Sequence, residues 1–341
     1  MSARPPHHAP GGGFRNPWEG SVHPRGADFW KWRWQRFRKS PVPDPPPRDL
    51  PRGRPDPAYP RARAGQIRVT WVGHATALLQ VGGVNVLTDP VWSRRASPLP
   101  WLGPARLTPP GLPFGDLPPV DAVLLSHDHY DHLDAPTVRR LAAAHPRAVW
   151  ITPLGYHAWL ARRGVRRSLE LDWWQEAALD TPGGRLAVTG LPASHWTRRG
   201  PRDQRRRLWA AFALAGPGGE RAYFGGDSGW MPEFGRVGQR AGPFDVTLLP
   251  IGAYAPRWFM RSSHMTPEEA VAAYREMGGR GLFVGIHWGT FRLADEPPLE
   301  PPIRARAAWR AAGLPEADLA LPAPGGTVCR TLSRSRQEEV T

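Results

Sequence analysis

An apolar run that empties into a cluster of metal-binding side chains constrains this chain more than any other feature. In Leu124-Leu125-Ser126-His127-Asp128-His129-Tyr130-Asp131-His132, the ligand candidates His127, His129, Asp131 and His132 follow directly on the strand-like stretch Asp121–Ser126. A strand end is a rigid platform, and a loop leaving it can wrap an ion. Imidazole and carboxylate suit zinc and its neighbours without selecting one metal outright. Four ligands packed this tightly, with a spare carboxylate, fit two adjacent ions better than one. Chance histidines in a solvated loop are the alternative, and H-x-H-x-D-H spacing behind a strand argues against it.

The rest of the chain supplies more strand ends. Ile67–Val72, Ala77–Val81 and Val84–Thr88 read as short strands, with Gly82-Gly83 as the hairpin turn between the last two. Ala148–Ile151, Arg185–Leu191, Leu208–Leu214, Arg221–Phe224, Asp245–Leu249 and Gly281–Ile286 are further strands. Asp134 reads as the N-cap of a helix running to His145, with Pro136 tolerated in its first turn. Thr266 and Glu269 read as a capping box opening a helix that ends at Gly278. Strands and helices intermix without an internal repeat, which is an α/β arrangement.

Four later residues share the strand-end context. His195 follows Arg185–Leu191, Asp227 follows Arg221–Phe224 through Gly225-Gly226, His264 lies before the Thr266 cap, and His287 ends Gly281–Ile286. Loops on a rigid scaffold are where function concentrates. His7, His8, His23, His145 and His157 lie in the N-terminal leader or beside helices and read as bland.

Residues 1–64 form that leader, residues 65–331 the folded domain, and residues 332–341 a polar tail. Pro41–Pro60 is mostly Pro, Arg and Asp and reads as an extended linker. Before it, in Ala27–Ser40, Trp30, Trp34 and Phe37 recur at i, i+4 and i+7, with Lys31, Arg33, Arg36, Arg38 and Lys39 among them. Amphipathic stripes usually face cores, so packing on the main body is the expectation. Shallow contact with an anionic membrane is the alternative. The formal net charge of +15, from 45 basic and 30 acidic residues, favours polyanions such as anionic lipid, phosphorylated substrates or nucleic acid. The only lysines are Lys31 and Lys39, so an arginine-biased composition accounts for that charge equally well. The single cysteine, Cys329, forbids an internal disulfide and a cysteine-based metal site. Together with a leader lacking an apolar signal segment, it points to the cytoplasm, with the inner membrane face as a peripheral location.

The H-x-H-x-D-H loop, with His195, Asp227 and His287, resembles the metallo-β-lactamase superfamily. Around it, Trp71-Val72-Gly73-His74-Ala75-Thr76, Leu87-Thr88-Asp89-Pro90, Arg95-Ala96-Ser97-Pro98, Gly103-Pro104 and Gly226-Asp227-Ser228-Gly229 are similar to the N-acylphosphatidylethanolamine-hydrolysing phospholipase D branch. So are Pro256-Arg257-Trp258-Phe259-Met260, Ile286-His287-Trp288-Gly289-Thr290-Phe291 and, in the leader, Asn16-Pro17-Trp18. The resemblance spans about residues 14–300. It implies an αββα sandwich with the site at one edge, two zinc ions and a homodimer. Carried over, one metal is held by His127, His129 and His195, the other by Asp131, His132 and His287, and Asp227 bridges them. Tyr130 and His264 match residues lining the substrate site, while His74 and Asp89 match positions that orient ligands. Asp128 departs from the neutral Asn of the animal enzymes and is expected to add negative charge near the metals; the arginine-rich leader departs too.

Such a centre lowers the pKa of a water shared by two metals, and the hydroxide can attack phosphorus in line or a carbonyl. Asp227 and Asp131 would serve that step, and His264 would protonate the leaving oxygen. No G-x-S-x-G element supplies a protein nucleophile. The leading expectation is therefore a phospholipase D-like phosphodiesterase of lipid metabolism. The alternatives are a lactone or phosphorylated-lactone hydrolase and, from net charge alone, a nuclease or nucleic-acid-binding protein, for which no module of the usual kinds is present.

Overall fold

The computed structural model describes residues 4–18, 26–39, 43–46 and 48–332. His23, Ser40 and the tail beyond Leu332 lie outside the described residues. The first sheet is built from β1 (Gln66–Gly73), β2 (Thr76–Val81), β3 (Val84–Thr88), β4 (Ala122–Leu124), β5 (Val149–Pro153) and β6 (Ser168–Leu171). The second contains β7 (Glu176–Thr181), β8 (Gly184–Leu191), β9 (Ala211–Ala215), β10 (Arg221–Phe224), β11 (Val246–Pro250), β12 (Leu282–Ile286) and β13 (Leu319–Ala320). The chain then returns to pair β14 (Thr327–Thr331) with β1. The strand orders are β14-β1-β2-β3-β4-β5-β6 and β13-β12-β11-β10-β9-β8-β7.

Side-chain alternation explains the layers. Ile67, Val69, Leu79, Val86 and Leu124 from the first sheet share one core with Leu186, Val188, Phe212 and Phe224 from the second. The alternate residues Leu78, Leu87 and Val123 face outward, onto α2 (Ala135–Ala144) and α3 (His157–Ala161) through Val138, Leu141 and Leu160. A period of two thus gives each first-sheet strand a face toward the partner sheet and a face toward a helix. The second sheet is covered by α4 (Phe234–Ala241), α6 (Pro267–Glu276) and α7 (Glu300–Ala311), which bury Phe234, Tyr274 and Trp309. This is the αββα sandwich. The short α5 (Arg257–Met260) lies against α1 (Gly26–Lys39). The capping box forms as read: Thr266 accepts from the Glu269 N–H at 3.2 Å, and Glu269 accepts from the Thr266 N–H at 2.9 Å.

The linker is extended, as read, and it is tied to the body: Gly53 N–H donates to Pro324 O at 2.9 Å, Asp56 N–H to Thr327 Oγ1 at 2.9 Å and Ala58 N–H to Gln80 Oε1 at 2.8 Å. The amides that the prolines leave in this extended segment are thus bonded by the Pro324 carbonyl, by half-buried Thr327 of β14 and by buried Gln80 of β2. Two readings of the leader change. The aromatic stripe of α1 does not face the body. Trp30, Trp34 and Phe37 are 70%, 58% and 86% exposed, and Trp32, at 7%, is the residue that packs. Its ring stacks on Phe259 at 5.2 Å, and its N–H donates to Asp295 at 3.0 Å. Finally, His7 and His8 are not bland: both bond Asp172, and His7 is buried. The edge strands β6 and β7, with Glu170, Glu176 and Asp180 in them, carry too little apolar alternation to be read from sequence.

Candidate metal centre

The parallel neighbours β3 and β4, and likewise β10, β11 and β12, open their carboxyl ends on one edge of the sandwich. Ligand sites form outside such ends. Asp89 leaves β3, the His127–His132 loop leaves β4, Asp227 leaves β10 and His287 leaves β12. His195 arrives from the segment after β8. Gly226 makes the approach possible: its φ is +55°, and a Cβ there would lie 2.5 Å from the Ser126 Cβ. His74, Asp89 and His287 are non-glycine residues at φ 57°, 32° and 65°. Such conformations cost on the order of 1–3 kcal/mol each and persist where the surroundings fix them.

Two ligand tautomers, at His195 and His132, are set by a backbone and a carboxylate partner. His195 Nδ1–H donates to Ser263 O at 3.0 Å, so Nε2 presents a lone pair. That nitrogen lies 3.2 Å from His129 Nδ1, which is 3.0 Å from His127 Nε2. On the other side His132 Nδ1–H donates to Asp89 at 2.7 Å and aims Nε2 at two carboxylates, Asp227 at 3.1 Å and Asp131 at 3.3 Å. Asp89 is itself held by the Ser126 N–H at 2.7 Å and hydroxyl at 2.5 Å. His287 Nε2 lies 3.0 Å from the second oxygen of Asp227. His74 Nε2 bonds Asp131 at 2.8 Å, and the His74 carbonyl accepts from the His287 N–H at 3.0 Å.

A lone pair directed at carboxylates is repulsive unless a cation stands between them. Among the described residues, Nε2 of His132, Nε2 of His287 and Oδ1 of Asp227 are buried without a hydrogen-bond partner. Groups so placed need an explanation, and divalent ions supply one. Nitrogens at about 2.0–2.1 Å from a tetrahedral ion stand roughly 3.3 Å apart, close to the spacings in the His127–His129–His195 set. The donors therefore fit two adjacent ions, with Asp227 between the sets. One of its oxygens faces His127, His195 and His132, and the other faces His287. Ligation takes neutral imidazole and ionised carboxylate, and His127, His129, Asp131 and Asp227 already hold those forms. At His132 burial is outweighed by the Asp227 and Asp131 carboxylates, which raise the pKa well above the usual imidazole value, so a cation binding there would displace a proton. Burial pushes the His127 and His129 pKa values down. Burial opposes ionisation of Asp131 and Asp227, but the surrounding imidazoles outweigh it and hold both well below the usual carboxylate range.

A cavity of about 700 Å³ opens above this cluster, with His129, Asp131, Asp227 and His264 toward its floor. Phe29, Trp30 and Trp32 of α1 and Phe259 and Met260 of α5 wall it, and Tyr130, Trp196 and Arg198 complete it. His264 Nδ1 is 3.8 Å from Asp227, and burial brings its pKa down to about 4. Tyr130 donates to Arg199 O at 2.8 Å and stacks under the Arg199 guanidinium. Asp128 brings negative charge beside the ligand set, where it raises the His129 pKa against burial, and Arg207 balances that charge. It is fully buried and accepts from Arg207 at 2.8 Å and from the Arg198 N–H at 2.8 Å. Arg199 ties the same loop from the other side, donating to Asp128 O and Leu133 O at 2.7 Å each. Sequence reasoning missed Arg199 and Arg207 because nothing in Arg205-Arg206-Arg207 distinguishes the ion-pairing member.

An αββα sandwich with this ring of imidazoles and carboxylates at one edge defines a metal-dependent hydrolase. Residues 84–288 match the family model of the beta-lactamase superfamily domain, and the chain belongs to the metallo-β-lactamase superfamily. A Mycobacterium tuberculosis protein is 48% identical over 273 residues, covering 79% of this chain and 70% of the relative. The N-acyl-phosphatidylethanolamine-hydrolyzing phospholipase D 1 of Caenorhabditis elegans is 42% identical over 239 residues, covering 68% of this chain and 67% of that one. The metallo hydrolase Igni18 of Ignicoccus hospitalis shares the fold, with a TM-score of 0.59 at 21% identity over 79% of this chain and all of that one.

Proposed function

We propose that this hydrolase is a phospholipase D-type phosphodiesterase acting on N-acylphosphatidylethanolamine or a related phospholipid at a membrane surface. The observation that carries the reading is the cavity itself, with a metal-ligand floor and walls of tryptophan, phenylalanine and methionine. An anionic phosphodiester fits the floor, and acyl chains fit the walls. The similarity to the nematode phospholipase supports the same substrate class. Two zinc ions held by His127, His129 and His195 and by Asp131, His132 and His287, with Asp227 shared, would supply activated water at neutral pH and charge neutralisation for a phosphoryl oxygen.

The chain's own residues do the rest. Asp227 and Asp131 fix the spacing of the two ligand sets. Asp89 and His74 orient His132 and Asp131. Burial keeps His264 neutral at pH 7, so it donates a hydrogen bond to the leaving oxygen and is not the full proton source expected from the sequence. Arg198 is the one lysine or arginine among the residues described as lining the cavity, and it faces the phosphate. Exposed aromatics continue outward from the mouth. Trp30, Trp34 and Phe37 lie on α1, and Trp258, beneath Lys31 at 5.1 Å, adjoins them. With Arg33 and Arg38 in the same helix, the rim suits an anionic bilayer.

The test compares kcat/KM on N-acylphosphatidylethanolamine, other phospholipids, simple phosphodiesters, acyl-homoserine lactones and a β-lactam. Lipid phosphodiesters should lead, and oxygen-18 from water should enter the phosphate. Label confined to a carboxylate product, with no phosphodiesterase activity, would replace this reading with a lactonase.

A further inference from the structure

The N-terminal segment reaches the metal centre without touching it. His7 Nε2 and His8 Nε2 donate to the two oxygens of Asp172 at 2.6 and 2.7 Å, and the Trp173 N–H adds a third donor at 2.8 Å. His7 stacks on the Trp173 ring at 4.2 Å, and Trp18 stacks on the same ring at 5.6 Å. From there a run of indole hydrogen bonds leads inward. Trp173 Nε1–H donates to Trp209 O at 2.7 Å, and Trp209 Nε1–H donates to Ala193 O at 2.8 Å. Ala193 stands two residues before His195. Asn16 adds a second tie, from its amide to the Ser194 hydroxyl at 3.4 Å, and Phe14 N–H bonds Arg205 O at 2.8 Å.

We propose that His7–Trp18 is a positioning segment for His195, with the His7–His8–Asp172 clasp relayed through Trp173 and Trp209 to the backbone that carries this ligand. The proposal rests on His195 being a metal ligand, as in the preceding reading. Two histidines and a carboxylate also have the composition of a metal site. The distances in this protein separate the two cases. In the catalytic cluster, donors that would share an ion stand 3.0–3.9 Å apart, from His287 and Asp227 at 3.0 Å through His195 and His129 at 3.2 Å to His287 and Asp131 at 3.9 Å. The orienting hydrogen bonds of His132 to Asp89 and His74 to Asp131 are 2.7 and 2.8 Å. At 2.6 and 2.7 Å, the clasp falls with the hydrogen bonds.

Partners that orient ligands change metal affinity about 10–100-fold when removed. Acting from further out, the clasp should be worth about tenfold on that scale. The experiment uses the full chain, stripped with a chelator and reloaded with Co2+, whose visible absorption reports ligand geometry. His7→Ala/His8→Ala and Asp172→Asn should keep the wild-type far-UV circular dichroism, weaken one cobalt equivalent and alter its spectrum. Trp209→Phe, which keeps a ring and removes the N–H donated to Ala193, should do the same and covers the case in which the leader variants misfold. Arg4→Ala, whose side chain bonds only Pro10 O among its described contacts, should match wild type. Wild-type cobalt affinities and spectra in the folded variants would overturn the proposal. So would a third metal equivalent that disappears in the double variant, because the clasp would then be a metal site. A wild-type chain that takes up no cobalt would overturn the metal-centre reading itself.

Discussion

The His127–His132 loop and helix α1 meet at the same cavity, yet they are held by different physics. Of the loop's four ligand groups, His127 and His132 are buried and His129 and Asp131 half-buried. The ligand directions at the centre are set by charge-assisted or backbone hydrogen bonds: Asp89 to His132, His74 to Asp131 and, outside the loop, Ser263 to His195. Helix α1 is attached through Trp32 and Asp295 and leaves most of its aromatic surface in solvent. One region holds its ligand atoms by directional hydrogen bonds. The other offers area and charge to something larger than a small ligand. Substitutions should therefore separate chemistry from access.

The largest separation is expected at the shared carboxylate. Asp227→Asn should lower activity on soluble and vesicle substrates alike by about 10²–10³-fold or more, the scale seen when a group that stabilises developing charge is removed. His127→Ala should lose metal as well. His157→Ala should do neither, since that ring bonds Ser168 on the far side of the first sheet. Elemental analysis should give close to two equivalents for wild type, and chelation should lower its Tm, because ions that bind only the folded chain stabilise it by mass action. Near-normal turnover in Asp227→Asn would remove the contrast at its root.

The same contrast decides how much was legible in the sequence. The ligand loop is contiguous, and its chemistry is rare enough to stand out without a fold. The later ligands were legible because each follows an apolar run: β10 ends at Phe224 three residues before Asp227, and β12 ends at Ile286 beside His287. Residues whose meaning depends on a distant partner were not legible. Nothing in His7-His8 announces Asp172, more than 160 residues away. Trp30, Trp34 and Phe37 form the regular stripe, while Trp32, off that stripe, is the one that packs. Periodicity found the apolar surface of α1 but could not say whether protein covers it.

A middle-sized effect tests the rigidity of the loop. Asp128 is buried and its charge is balanced by Arg207, so Arg207→Met should destabilise the fold by about 3–5 kcal/mol, the usual cost of stranding a buried charge. Adding Asp128→Asn should recover most of that loss, because no charge is then left uncompensated. Urea unfolding of the two single variants and the double variant measures the coupling. Additive losses would show that the pair is not the element holding the loop.

The smallest effect on the folded protein, and the most selective on function, belongs to α1. Replacing Trp34 and Phe37, which lie outside the cavity wall, with Ser removes side chains that are mostly in solvent, and surface changes of this kind usually stay within about ±0.5 kcal/mol each. Stability, metal content and kcat on a short soluble phosphodiester should hardly move. Flotation with vesicles of anionic phospholipid should fall, and KM measured on those vesicles should rise. Charge reversal at Lys31 and Arg33 should act in the same direction and more strongly at low salt, since each basic side chain contributes roughly 1 kcal/mol near an anionic surface within a Debye length. Trp32→Ser offers the counter-case: it breaks the stack on Phe259 and the bond to Asp295, so it should loosen the cavity wall and lower activity on every substrate. If Trp34 and Phe37 can be removed without loss of vesicle binding while Trp32→Ser abolishes it, then α1 is a wall of the substrate cavity rather than a membrane contact, and the lipid must reach the site by another face.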